Sequence, residues 1–308
     1  MTKHLLFLLI AAGTNVQSPQ SAPAPEVFIT TFSSTDGKVT LGKPSNISNN
    51  PGYDNQPSFT PDGKAVLFTS VRGDRKPDPA NAAQTGSDIY RYDLASGRLS
   101  QVTSTPESEY SPTCMGDEYI SVIQVEPDGT QRLWKFALAG GPPQVILPEV
   151  RGVGYHAWAD PGTLALFVLG APGTREPATL QLASVASGKS EIVATGVGRS
   201  ILKIPGGGIS FVHTETVDGS TRVIVKELDP ATRRVTTLVP LMAGAPALDL
   251  AWTPDGMLLA AHAGKLYGWR RGDTAFAVVA EFEAVGLRGV TRMAISPSGD
   301  RLALVAQP

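Results

Sequence analysis

One short theme recurs along this chain and limits what it can fold into. Phe59-Thr60-Pro61-Asp62-Gly63 returns as Trp252-Thr253-Pro254-Asp255-Gly256 and as Ile295-Ser296-Pro297-Ser298-Gly299. Trp158-Ala159-Asp160-Pro161-Gly162 is a permuted copy, while Lys203-Ile204-Pro205-Gly206-Gly207 and Cys114-Met115-Gly116-Asp117 are degenerate ones. Repetition at this interval makes each copy one supersecondary unit, which must lean on its neighbours to hide its apolar faces.

The clearest unit runs from Tyr53 to Thr103. A short segment ending in Phe59 meets a Pro-Asp-Gly turn, then the apolar run Ala65 to Phe68. After a long polar loop come Asp88-Ile89-Tyr90-Arg91-Tyr92-Asp93, the turn Leu94 to Arg98, and Leu99 to Thr103. This reads as a four-stranded antiparallel meander with turn residues at its corners. Hairpins of the same kind recur at Trp134 to Gly141, Leu182 to Lys189, Lys226 to Arg233 and Tyr267 to Asp273.

Gln56-Pro57-Ser58-Phe59-Thr60-Pro61-Asp62-Gly63-Lys64, followed by Asp88-Ile89-Tyr90-Arg91-Tyr92-Asp93, resembles the TolB-type β-propeller repeat. That repeat also builds the propellers of prolyl-oligopeptidase-like and tricorn-like proteases. The resemblance covers most of the chain as architecture and carries no catalytic motif. It implies an all-β fold, a ring of four-stranded antiparallel blades.

Inner strands starting near Asn55, Tyr110, Tyr155, Arg199, Leu248 and Thr291 lie about 43 to 55 residues apart and give six blades. The sixth is composite. Glu26 to Phe32 and Lys38 to Ile47 match the outer strands of a blade, and Arg292 to Ile295 and Arg301 to Ala306 match its inner strands. Pairing the two ends closes the ring and leaves no open sheet edge around it. One domain over 26–308 is therefore expected. Blade one carries the one large insertion, Ser70 to Gly86, on the face where the inner strands begin.

At 308 residues, with 42% hydrophobic residues and a net charge of −2, the chain can bury a sizeable core and shows no basic footprint for nucleic acid. The single Cys114 rules out an internal disulfide and is expected to be a buried small apolar residue. Residues 1–25 read as an export signal and linker: Lys3 and His4, the apolar run Leu5 to Ala12, then small and Pro-rich residues. A periplasmic or secreted monomer without a transmembrane segment is expected.

A propeller brings side chains from every blade together where its innermost strands begin. Asp54, Asn55, Glu109, Tyr110, Tyr155, His156, Arg199, Asp249 and Arg292 are therefore the expected ligand-binding residues at a tunnel mouth on that face. Either arginine could make charge-assisted bonds to a carboxylate or phosphate. His156, His213 and His262 share this face but belong to different blades, so no histidine metal site is expected. Phe59, Trp158, Trp252 and Ile295 are expected to pack between blades as core.

No Gly-x-Ser-x-Gly elbow is present and no α/β-hydrolase segment follows the repeats, so no protease activity and no catalytic residues are expected. The mixed domain that precedes the propeller in TolB has no counterpart here, so a Tol-system role does not carry over. The expectation is an exported module binding an unidentified protein segment or small polar ligand, without cofactor. The alternative is a calcium-dependent lactonase-type hydrolase, with Asp54, Asn55, Glu109 and Asp249 as oxygen ligands of Ca2+ in the tunnel mouth.

Overall fold

The turn that follows each first strand shows why the recurring theme has its composition. In this computed structural model Thr60 Oγ1 accepts from Ala65 N at 3.0 Å, Gly63 N donates to Thr60 O at 2.9 Å, and Lys64 N donates to Asp62 Oδ1 at 3.0 Å. Thr253 and Ser296 repeat this: Met257 N donates to Thr253 Oγ1 at 2.8 Å and Arg301 N to Ser296 Oγ at 3.0 Å. Gly63, Gly256 and Gly299 have φ of 69°, 83° and 72°, which a side chain rarely tolerates. A Cβ on Gly63 would lie 3.6 Å from Pro297 Cδ and one on Gly299 3.3 Å from Pro254 Cδ. The proline of one blade thus sits against the glycine of the next.

Residues 24–35, 37–73, 86–171, 173–217, 219–246 and 248–308 are described. The export-signal reading falls almost wholly outside them, as does most of the Ser70 to Gly86 insertion. Among the described residues no helix is long and apolar enough to cross a membrane.

The described strands form six antiparallel sheets around one axis, a six-bladed β-propeller. First strands are Asp54–Phe59, Ser108–Met115, Val153–Asp160, Val197–Lys203, Leu250–Trp252 and Arg288–Ile295, in blades one to six. In blades one to five the strands follow in chain order from the axis outward. Blade six runs Arg288–Ile295, Arg301–Gln307, Glu26–Thr35 and Lys38–Leu41, with Glu26 opposite Ala306 and Phe28 opposite Leu304. Its outer edge differs from the continuous Lys38 to Ile47 strand expected. Lys38–Leu41 pairs with Phe32 to Thr35, and a separate Ser45–Asn46 pairs with Phe28 and Ile29. Gly42 and Pro44 fall between the two pieces, and a Cβ on Gly42 would come within 2.2 Å of Thr31 Oγ1.

Second strands carry the core. Every residue of Ala65–Ser70 is buried, as are Leu302 to Ala306. Clusters join neighbours: Phe68 packs with Val27 and Val305 of blade six, and Leu67 with Ile120 and Val122 of blade two. Cys114 departs from expectation. It is half-buried against that second cluster, and burial, then Asp117, pushes its thiol up to about 11.

Candidate functional site

Strand register places one residue per blade at the same height around the axis. Asn55 faces Thr69, Tyr110 faces Ile123, Tyr155 faces Phe167 and Arg292 faces Val305 across first and second strands, equivalent pairs in four blades. Arg199 and Asp249 complete the ring from blades four and five. Arg199 grips Asp249 with both arms of its guanidinium, Nε to Oδ1 at 3.1 Å and Nη2 to Oδ2 at 2.6 Å. Arg292 lies 3.8 Å from the same carboxylate, donates to Tyr155 Oη at 2.7 Å, and stacks on that ring at 5.1 Å. Tyr53 also belongs here. Burial pushes its hydroxyl up to about 12, with Arg292, Tyr155, Tyr110 and Arg199 in electrostatic reach.

Beyond this ring, toward the Pro-containing turns, the axis opens into a cavity of about 630 Å³. Arg199, Asp249, Arg292 and Tyr155 floor it, and Pro205, Pro254 and Pro297 lie at the turn end. Room exists because the residues in between are small: Ser58, Thr113, Ala157, Ala251 and Ala294. Strand-entry reasoning puts the mouth on the opposite side of the ring. The long side chains at the strand entries pair across the axis and fill it, which displaces the space toward the turns.

Phe59, Trp158, Trp252 and Ile295 fall short of full burial and line the cavity, while also packing on the interblade clusters. The core reading of these four is corrected to a shared role. Trp158 Nε1 donates to Ser121 Oγ of blade two at 3.0 Å, and Trp252 Nε1 to Ser210 Oγ of blade four at 2.8 Å. Each indole is thereby fixed with one surface toward the axis.

Ser121 Oγ also contacts His156 Nε2 at 2.7 Å. This is not a nucleophile with its base, because Ser121 is fully buried and His156 Nδ1 has no partner among the described residues to orient it. Desolvation pulls the imidazole down to about 3, so it is neutral at ordinary pH. Ser111 Oγ is likewise buried without a partner, and both residues belong to the cavity wall. Ser111 and Gln56 hold positive φ of 55° and 58° at interruptions in their strands, and Ser111 N donates to Gln56 Oε1 at 2.8 Å.

Asp54 and Glu109 are fully buried away from the cavity. Asp54 Oδ2 accepts from Asn50 Nδ2 at 2.9 Å, and Arg72 Nη2 lies 3.4 Å from Oδ1. Burial raises the group to about 6 despite those partners. Glu109 accepts from Thr103 Oγ1 at 2.9 Å, from Gln124 Nε2 at 3.1 Å and from Thr105 Oγ1, and burial raises it to about 7. Asn55 Oδ1 accepts from Gln56 N at 2.8 Å. The oxygen donors considered for calcium are thus engaged in separate places. Among the described residues no three His, Cys, Asp or Glu side chains come together as an ion-binding set. His213 is held by Thr195 O at 2.8 Å and Glu215 Oε1 at 3.2 Å.

The sequence reasoning missed Tyr53, Lys203 and the small axial residues. Tyr53 stands beside Asp54, which was chosen, Lys203 opens the degenerate turn motif four residues after Arg199, and the small residues carry no chemical signature at all.

No family model matches the chain, and no curated protein matches it in sequence. Its fold is similar to solved structures. A putative TolB from Agrobacterium tumefaciens superposes with a TM-score of 0.63 at 13% identity, covering 92% of this chain and 99% of that one. TolB from Acinetobacter baumannii gives 0.55 at 14% identity, covering 91% of this chain and 63% of that one. An oligogalacturonate lyase in complex with manganese gives 0.57 at 15% identity, covering 86% and 80%. The likeness is one of fold, a TolB-like propeller.

Proposed function

We propose that this propeller is an exported, non-enzymatic binding module that takes a protein segment or small ligand into its axial cavity from the turn face. The observation that carries this reading is the cavity itself: about 630 Å³ in volume, half-walled by aromatic and aliphatic side chains, with fixed polar groups gathered at its inner end. Preformed concavities of this size, apolar with a few convergent polar groups, are the usual form of a ligand site. Ser111 Oγ and His156 Nδ1 add two buried polar atoms without partners in its wall. An ion-dependent hydrolase at the same place would need Asp249 released from both guanidiniums and further oxygen donors brought beside it.

The test is a cavity-filling variant. Ser58→Trp places an indole in the axial space while leaving the blade-to-blade clusters alone. Wild-type protein incubated with a metabolite mixture and a random peptide library is expected to retain ligands in native mass spectrometry, and the variant to lose them at an unchanged melting temperature. Equal retention by both proteins, or none by either, defeats the reading.

A further inference from the structure

We infer that the cavity selects ligands bearing a carboxylate, seated against Arg292 and Tyr155 with an apolar body between Trp158 and Trp252; this rests on the cavity-binding reading above. The reason is charge balance. Three cationic side chains line the space, Arg199, Lys203 and Arg292, against one carboxylate, Asp249. Arg199 already saturates Asp249 with a two-armed contact, the closest bond being 2.6 Å. Arg292 stands off from that carboxylate at 3.8 Å, and among the described residues its side-chain hydrogen bond goes to the Tyr155 hydroxyl at 2.7 Å.

The Arg292 side chain is only 13% exposed, so water screens it poorly. A guanidinium held in a half-dry site with less than a full counter-charge favours an anion that completes its fork. Its Cζ lies 5.1 Å from the centre of the Tyr155 ring, and with the hydrogen bond to Oη this contact holds the group in place. Lys203 extends the positive field along the wall toward the turns. Neutral His156 adds polarity without charge. The larger uncharged side chains of the wall are apolar, Trp158, Trp252, Met293 and Ile295, with small hydroxyl residues such as Ser58 and Thr113 between them. Carboxylate at one end and an aromatic or aliphatic body at the other is the shape this distribution complements, whether a small organic acid or the C-terminus of a peptide.

The probes are 3-phenylpropanoate and its neutral amide, followed by quenching of Trp158 and Trp252 fluorescence, and a second pair, N-acetyl-Phe-Ala-Phe as free acid and as C-terminal amide. Wild-type protein is expected to bind each acid at least about tenfold more tightly than its amide. Arg292→Gln should abolish that preference. Lys203→Gln, on an exposed side chain that cannot endanger folding, should reduce it. Tighter binding of the peptide acid than of the small acid identifies a peptide end as the source, and the reverse a small organic acid. Equal binding of acid and amide that Ser58→Trp still blocks leaves the cavity reading standing and overturns the carboxylate assignment. Binding of neither acid, or a preference unchanged in Arg292→Gln and Lys203→Gln, overturns it as well.

Discussion

Asp54 and Glu109 sit in fully buried positions on neighbouring first strands, and burial raises them to about 6 and about 7 from ordinary values of 3.8 and 4.5. A carboxyl whose folded value lies above its unfolded one binds more protons in the folded state through the window between the two. Its contribution to stability is therefore greatest below the unfolded value and declines as pH rises through the folded one. His156, drawn down to about 3, works in the opposite sense, its cost falling away as pH rises toward 6.5. The wild-type curve mixes these effects, so a difference measurement is cleaner. Glu109→Gln keeps a shape able to meet Thr103, Thr105 and Gln124 while removing the charge. Its stability relative to wild type should rise between pH 4.5 and 7 by on the order of 3 kcal/mol and then level off. Urea unfolding at a series of pH values reads this directly. A difference independent of pH would mean that the carboxylate is comfortably ionised where it lies.

At the scale of the element, the Trp–Ser contacts explain how blades are joined. Trp158 reaches Ser121 of the preceding blade and Trp252 reaches Ser210 of its own predecessor, at equivalent places in the second strands. Where the residue at the end of the first strand is Phe59 or Ile295, with no N–H to satisfy, the preceding blades carry Ala303 and Leu259 there. The serines are thus explained by the indole that follows them. Ser210→Ala should cost about 1–3 kcal/mol, by stranding Trp252 Nε1. Ser121→Ala should cost more, because it also strands His156 Nε2. Equal losses in thermal unfolding of the two variants would contradict that ranking. The turns at this scale were legible in the sequence, since Pro and Gly fix backbone angles locally. The Trp–Ser partners were not, because they lie 37 and 42 residues apart and nothing local requires them.

For the whole molecule, the repeat and the family resemblance it carries made the ring legible, and the outer strands left over at one end with the inner strands left over at the other made its closure legible, because each apolar strand pair needs neighbours. The side of the ring holding the cavity was not legible. It depends on Arg199 meeting Asp249 across 50 residues and on small side chains whose identity says nothing of where they point. Closure itself can be tested by moving the ends. Glu26 lies opposite Ala306 and Thr31 opposite Arg301, so the polypeptide reaches and leaves blade six side by side. A short flexible linker from Gln307 to Ala24 would therefore turn this pairing into an ordinary hairpin, and new ends fit in the turn at the exposed Ala186–Ser187. Such a permutant keeps every described strand pairing and should melt close to the wild-type temperature in one cooperative transition. Removing Arg301–Gln307 instead exposes Val27 and Ile29 on one side and Phe68 on the other, a loss the remaining blades cannot absorb. That truncation should fail to give a cooperative transition by circular dichroism. If it melts like the full chain, blade six is an appendage to a ring held together elsewhere.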